Sequence, residues 1–354
     1  MNINKIDEEI NKISQEVVII ANIIPSNLKT EKRKFFKSND YNPVFQYPER
    51  SVDLNNVKEK LNQIKCDDSV IGKLLCEKIK MIKGKVNLIQ SIGKDNFSEQ
   101  SQKFFGKPSK ELTKKAENDL NNVSLKIKKN MLPTEEVVKR IKKIIKDYKL
   151  SWKVILRDDM IPRISASVND KKIFIRKKAR FSEEMLKGTI AHEIETHVFR
   201  AENGLLQPFK IFATGFPNYD VTEEGLAIIN AETVCPIKKL SNQSALRLVG
   251  INLALKSSFR DVFNMVLERG YAKNIAWNIA LRSKRGLIFT EKPGAFTKDY
   301  LYFKGKDLVN EFIRKKGDIT KLYYGKIGIE HVKLLPKIKG LKKPKFVPKF
   351  INEI

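Results

Sequence analysis

The stretch SEEMLKGTIAHEIETHVFRAENG, Ser182 to Gly204, decides how the rest of this chain is read. Ser182 is placed as a helix N-cap, and Glu183 and Glu184 fall in the first turn, where carboxylates favour the positive helix end. Leu186, Ile190, Ile194 and Val198 then recur at four-residue intervals, so one face of the helix is apolar. Asn203-Gly204 is placed as the C-cap. On this helix His192-Glu193-Ile194-Glu195-Thr196-His197 sets two imidazoles five residues apart around a glutamate. In an α-helix residues i and i+4 lie about 40° apart around the axis, and residues i and i+5 about 140° apart. Two histidines at this spacing share one ion only if the helix widens between them by a single π-type turn, a distortion that concentrates at functional sites. The chain has 3 histidines in all, and two of them stand here.

HExxxH is one residue longer than the HExxH of zinc peptidases. A catalytic zinc site uses three protein ligands and keeps a position for water. A candidate third ligand lies in Thr222-Glu223-Glu224-Gly225-Leu226-Ala227, where Thr222 reads as the N-cap of the next helix. A loop with Gly204, Pro208, Gly215 and Pro217 is long enough to bring Glu223 or Glu224 beside the histidines. The alternative is that both carboxylates only complement a helix N-terminus. The order His-Glu…His…Glu on successive helices resembles that of gluzincin-type peptidases.

Residues 1–22 and 55–93 carry apolar positions at three-to-four spacing, as amphipathic helices do. Between them Tyr41-Asn42-Pro43-Val44-Phe45-Gln46-Tyr47-Pro48 reads as extended, because its prolines exclude a helix interior. The polar stretch Gly93–Ser109 reads as a loop. A helix begins near Thr134. Trp152–Arg157, Ile164–Val168 and Lys172–Arg176 read as strands, the last two joined by a hairpin-type turn at Asn169-Asp170. From Thr222 to about Ile288 the pattern is helical. The segment His331–Asn352, with seven lysines and no acid, reads as an extended basic tail packed through Phe346 and Phe350. The fold class expected is α+β: mostly helical, a zincin-like domain with a small β-sheet before the active-site helix. The expected division is an N-terminal helical region at 1–130, a catalytic domain at 131–330 and a tail at 331–354.

The hydrophobic fraction of 41% supports a buried core and argues against wholesale disorder. No run of 18 apolar residues reads as a membrane span, and no signal-peptide pattern opens the chain, so a soluble cytoplasmic protein is expected. Cys66, Cys76 and Cys235 have neither a disulfide framework's even count nor CxxC spacing. With 69 basic and 41 acidic residues the formal charge is +28, which attracts polyanions without specifying one.

HEIETHVFR at 192–200 followed by TEEGLA at 222–227 resembles the microtubule-associated tyrosine carboxypeptidase family and its bacterial relatives with a QEGLA motif. Tyr41–Tyr47 resembles the family's NPxFxY segment. Glu268-Arg269-Gly270-Tyr271 and Arg282-Ser283-Lys284-Arg285-Gly286 resemble its middle helical region, and Phe296–Gly305 resembles FTKDxxYxxG. The resemblance implies a zinc metallocarboxypeptidase with one Zn²⁺ per chain, His192 and His197 as ligands and Glu193 as the catalytic residue. Because QEGLA has Gln at its first position, it points to Glu224 as the third ligand. Tubulin enters as a partner only through this resemblance, and the family's tubulin-binding member has Gly where this chain has Glu195. For the substrate's terminal carboxylate the candidates are Arg282, Arg285 and Lys298, and Tyr271, Tyr300 and Tyr302 are candidates for the oxyanion. The competing readings are a zinc endopeptidase and a non-catalytic polyanion-binding protein, nucleic acid included, with a relic metal site. No membrane partner is expected.

Overall fold

A computed structural model describes residues 2–49, 52–121, 131–158, 160, 162–168, 170–235 and 239–353. In chain order the helices before the sheet are α1 (Ile3–Glu16), α2 (Ile19–Asn22), α3 (Leu28–Lys37), α4 (Leu54–Gln63), α5 (Val70–Ser91), α6 (Phe97–Phe105), α7 (Lys110–Asn121) and α8 (Thr134–Asp147). Strands β1 (Lys153–Arg157), β2 (Ile164–Ser167) and β3 (Lys172–Arg176) follow, then α9 (Glu183–His192), a π-helical turn at Glu193–Val198, α10 (Phe199–Leu205), α11 (Ile211–Thr214) and α12 (Tyr219–Val234). The remaining helices are α13 (Lys239–Ala254), α14 (Phe259–Glu268), α15 (Lys273–Lys284) and α16 (Tyr300–Arg314), with 3₁₀ turns at Ile319–Tyr324 and Ile329–Lys337. The fold is mostly helical α+β.

The chain forms two compact units, residues 1–122 with 242–303, and residues 123–241 with 304–354. This division differs from cuts at 130 and 330. The helices of 242–303 belong with the N-terminal ones, and a discontinuous unit leaves no signature in linear composition.

In the first unit α5 is the long central helix. Ser69 caps it by accepting from Gly72 N–H at 3.0 Å, and Ile71, Leu75, Ile79, Ile82, Val86 and Ile89 are buried along its length. The segment at 41–48 is extended, as its prolines require. It is held by the buried Glu31, which accepts from Val44 N–H at 2.9 Å and Tyr41 O–H at 2.5 Å. Arg260 donates to the carbonyls of Phe35, Ser38 and Tyr41. The stretch 93–109 is not a plain loop: α6 runs through it. Phe97 is fully buried and stacks on Phe296 at 6.1 Å, while Phe105 meets the same ring edge-on at 5.5 Å. Few aromatic anchors among many polar residues hide this helix from an apolar count.

The second unit packs one sheet against helices. Strand order is β1-β3-β2, β1 and β3 parallel, β2 and β3 antiparallel. The turn expected at Asn169-Asp170 includes Asn169, which lies outside the described residues. Ile173 and Ile175 of β3 join Val137 and Ile141 of α8, Leu186 of α9, Ile194 and Val198 of the π turn, and Leu226 of α12 in one core. Two expected helix ends are corrected. The helix does not stop at Asn203-Gly204 but runs to Leu205. Gly204 serves close packing, since a Cβ there would lie 2.3 Å from Phe212 O. Thr222 is not an N-cap: α12 starts at Tyr219 after Asn218, whose φ is 57°, and the Thr222 hydroxyl accepts from Ile329 N–H at 3.0 Å. The basic tail is anchored: Phe346 and Phe350 are buried, and Asn203 Nδ2 donates to Phe346 O at 2.7 Å. Among the described residues no helix is long and apolar enough to cross a membrane.

α12 and α16 cross with glycine against glycine. A Cβ on Gly225 would lie 2.1 Å from the Gly305 carbonyl carbon, and one on Gly305 would lie 2.0 Å from Val221 O. These neighbours are backbone and cannot yield locally, so overpacking here costs at least about 1–3 kcal/mol. Gly225→Ala is expected to lower the urea midpoint accordingly; a wild-type midpoint would show that the crossing tolerates a methyl group.

Candidate metal centre

The helix widens between the two histidines, as their spacing requires. Glu193–Val198 is π-helical, and Phe199 N–H reaches back five residues to Ile194 O. With the ladder opened by one residue, the imidazoles of His192 and His197 face each other, centroids 5.0 Å apart and planes at 77°. α12 packs against α9 and the π turn and brings Glu224 to them. Glu224 Oε2 lies 3.8 Å from His192 Nε2 and 3.7 Å from His197 Nε2. Donor atoms of the three residues all lie within 4.8 Å of one another.

These spacings are too long for hydrogen bonds. They suit a bound ion, because zinc–nitrogen and zinc–oxygen bonds of about 2.0–2.2 Å in a tetrahedron put donors about 3.4 Å apart. Glu224 Oε2 is buried and accepts no hydrogen bond, a costly state for a carboxylate oxygen unless a cation sits against it. Two imidazole nitrogens and one carboxylate oxygen are a donor set that zinc accepts, with a fourth position left over. The residues present therefore fit the metal.

Glu223, one residue earlier, meets the other edge of the same ring: His197 Nδ1 is 2.8 Å from Glu223 Oε1. A carboxylate there accepts a hydrogen bond from Nδ1–H, which leaves the Nε2 lone pair toward Glu224. Arg200 Nη1 donates to Glu223 Oε2 at 2.9 Å, and Lys326 Nζ reaches Oε1. Arg200 is fully buried and also donates to Leu322 O at 3.0 Å and Ile327 O at 2.5 Å. Burial alone would raise the Glu223 pKa; the Lys326 and Arg200 charges and the His197 bond override it and hold the carboxyl well below its usual range. Burial also works against a charged His197, yet the Glu223 bond and the charges of Glu223, Glu224 and Glu193 raise its pKa.

Glu193 points at the sheet, its Oε2 accepting from Ala166 N–H of β2 at 3.0 Å. Burial pushes its pKa up to about 7, with the His197 charge and the Ala166 N–H opposing. Sequence reasoning had His192, Glu193, His197 and Glu224, and the structure brings all four together. It missed Arg200 and Lys326 as the charges behind Glu223. Arg200 stood in view, three residues after His197 on the same helix; Lys326 left no local signal.

The other candidates lie in the first unit. Arg282 Nε pairs with Asp299 Oδ2, and Arg285 Nη2 is 3.6 Å from Asp299 Oδ1. Burial lowers the Arg285 pKa to about 10 against the pull of Asp299. Tyr300 O–H donates to Phe105 O at 2.8 Å. Lys298 and Tyr271 are half-buried, and Arg247 lies over the half-buried Tyr302 ring at 4.7 Å.

The family model described as microtubule-associated tyrosine carboxypeptidase matches residues 33–354. MATCAP2 of Mus musculus is 26% identical over 349 residues, covering 96% of this chain and 60% of the relative. Microtubule-associated tyrosine carboxypeptidase 1 of Rattus norvegicus is 25% identical over 341 residues, covering 93% and 64%. The chain thus spans less than two thirds of the length of these relatives.

Asp299 generates a pH prediction. Burial would raise its pKa, but Arg282, Arg285 and Arg247 hold it well below the usual carboxylate range. A depressed pKa contributes stability above the unfolded value near 3.9 and loses it as pH falls below that. Asp299→Asn is expected to cost about 3 kcal/mol at pH 7, with the gap to wild type closing toward pH 3 in urea titrations. A gap independent of pH would mean the charge contributes nothing.

Proposed function

The chain belongs to the microtubule-associated tyrosine carboxypeptidase family, and from that premise we propose that it is a zinc metallocarboxypeptidase that hydrolyses the C-terminal peptide bond of a protein or peptide. The observation that carries this reading is the buried, unbonded Glu224 Oε2 set 3.7–3.8 Å from two imidazole nitrogens. His192, His197 and Glu224 would hold the metal, which when bound supplies Lewis acidity toward a carbonyl and an acidified water.

The chain's own groups do the rest. Glu193 is the proton carrier: its carboxylate takes a proton from the attacking water and passes it to the departing amine. Glu223 fixes the His197 tautomer, and Arg200 and Lys326 keep Glu223 charged. The edge of β2 supplies a place for substrate backbone. Arg176 N–H donates to Arg163 O at 2.9 Å, so bonded pairs alternate from there, and the N–H and C=O groups of Ile164 and Ala166 point away from β3. The Ala166 N–H that meets Glu193 lies on this outer edge, where an extended peptide can add as a strand. The relatives' names supply the rest of the proposal: release of a tyrosine or another aromatic residue, with microtubules as partner. Exposed Lys333, Lys337, Lys339, Lys342, Lys343, Lys345 and Lys349 make a surface suited to acidic peptides.

The test is a peptide digest read by mass spectrometry, with free and amidated C-termini and with acidic or basic upstream residues. Loss of one terminal residue is expected, abolished by amidation because the terminal carboxylate is then gone, with an acidic preference that fades as salt rises. Glu193→Gln is expected to keep about one zinc per chain and to lose roughly 10²–10⁴-fold in rate. Internal cleavage indifferent to amidation would make the protein an endopeptidase. A zinc-free protein that binds nucleic acid with steep salt dependence would make it a polyanion binder.

A further inference from the structure

A π turn gives up one ladder bond relative to an α-helix of the same residues, so something outside the helix must favour it. Thr196, in the middle of the turn, donates its hydroxyl to Ala191 O at 2.8 Å, five residues back. The same hydroxyl accepts from Asn230 Nδ2 at 2.7 Å, and that amide nitrogen also donates to Tyr323 O–H at 2.7 Å. Thr196, Asn230 and Tyr323 are all fully buried. Asn230 stands on α12, the helix that carries Glu223 and Glu224. Tyr323 stands on the 3₁₀ turn whose Leu322 carbonyl receives Arg200. None of the three offers an atom to the metal or to Glu193 in the site described above.

We propose that Thr196, Asn230 and Tyr323 form a buried hydroxyl–amide lock that holds the helix in its π register and so aims His197 at Glu224. They are positioning residues, acting through His197. Without the Thr196 hydroxyl the Ala191 carbonyl loses a donor and the Asn230 amide loses an acceptor, both in a dry core where unmade bonds are costly. A shift of 192–198 toward i→i−4 bonding then supplies the Ala191 carbonyl from the backbone. The same shift turns two side chains five residues apart away from each other.

The inference rests on the proposed metal reading only for its affinity arm. Thr196→Val keeps the shape and removes the hydroxyl; Thr196→Ser keeps the hydroxyl and removes the methyl group; Tyr323→Phe removes one partner while sparing the ring. Zinc affinity by competition titration, and the visible spectrum of the cobalt-loaded protein, are expected to fall or change in Thr196→Val by roughly 10–100-fold in affinity. Thr196→Ser should stay close to wild type, and Tyr323→Phe should lose less than Thr196→Val. The second arm needs no metal: crystal structures of metal-free wild type and Thr196→Val. The variant should show i→i−4 bonding in 192–198, with His197 Nε2 turned from Glu224. A π turn that persists in Thr196→Val, or a Thr196→Ser as impaired as Thr196→Val, overturns the lock. A wild type that binds no zinc overturns the metal reading instead, and the two metal-free structures still decide the lock. If Thr196→Val does not fold, the metal-free structure of Thr196→Ala, which also removes the hydroxyl, decides it in the same way: a turn that has slipped supports the lock, and one unchanged overturns it.

Discussion

Two imidazoles five residues apart cannot face one point from a regular α-helix, and the second unit is organised around that mismatch. The helix widens over Glu193–Val198, which swings His197 toward His192 and displaces everything after it by one residue. α12 must then lie close enough for a glutamate side chain to reach both rings. Gly225, immediately after Glu224, packs α12 against a second neighbour by leaving room for the α16 backbone at Gly305. The Thr222 hydroxyl, instead of capping, ties the same helix to Ile329. The site's geometry is thus carried by backbone contacts at neighbouring positions of one helix.

Charge explains why the C-terminal turns belong to this unit. A fully buried guanidinium costs several kcal/mol in lost hydration unless its donors are filled. Arg200 fills them with Glu223 and with the carbonyls of Leu322, Gly325 and Ile327. Three carbonyls pointing at one cation need an irregular backbone, and Ile319–Tyr324 with the residues after it provides one. No local pattern in the sequence shows that this region holds the partner of a site residue 122 positions away.

The legible part of the chain was the part with rules of short range. HExxxH implied a π turn because helix geometry allows no other shared ligand, and the strands and α8 announced themselves through alternation and capping. The helix at Phe97–Phe105 was not legible, since its stability comes from Phe97 and Phe105 meeting Phe296 far along the chain. Thr222 was misread for a related reason. A threonine before two glutamates looks like an N-cap, but the left-handed Asn218 starts α12 a turn earlier, which the apolar pattern gives no hint of. The glutamates therefore sit in the second turn, and the helix-dipole explanation of them loses its ground.

The division of labour between Glu223 and Glu224 follows from this placement. Successive residues on a helix point about 100° apart, so the two carboxylates cannot do the same thing. They approach the two nitrogens of one imidazole from different sides, Glu223 at Nδ1 and Glu224 toward Nε2. Both are buried or nearly so, and two carboxylates beside one ring repel unless each has its own cation. Glu223 takes two protein cations, Arg200 and Lys326. Glu224 Oε2 is left with no donor at all. On the proposed metal reading, an oxygen so placed, 3.8 and 3.7 Å from the two imidazole nitrogens, would meet a divalent ion held by the same three donors.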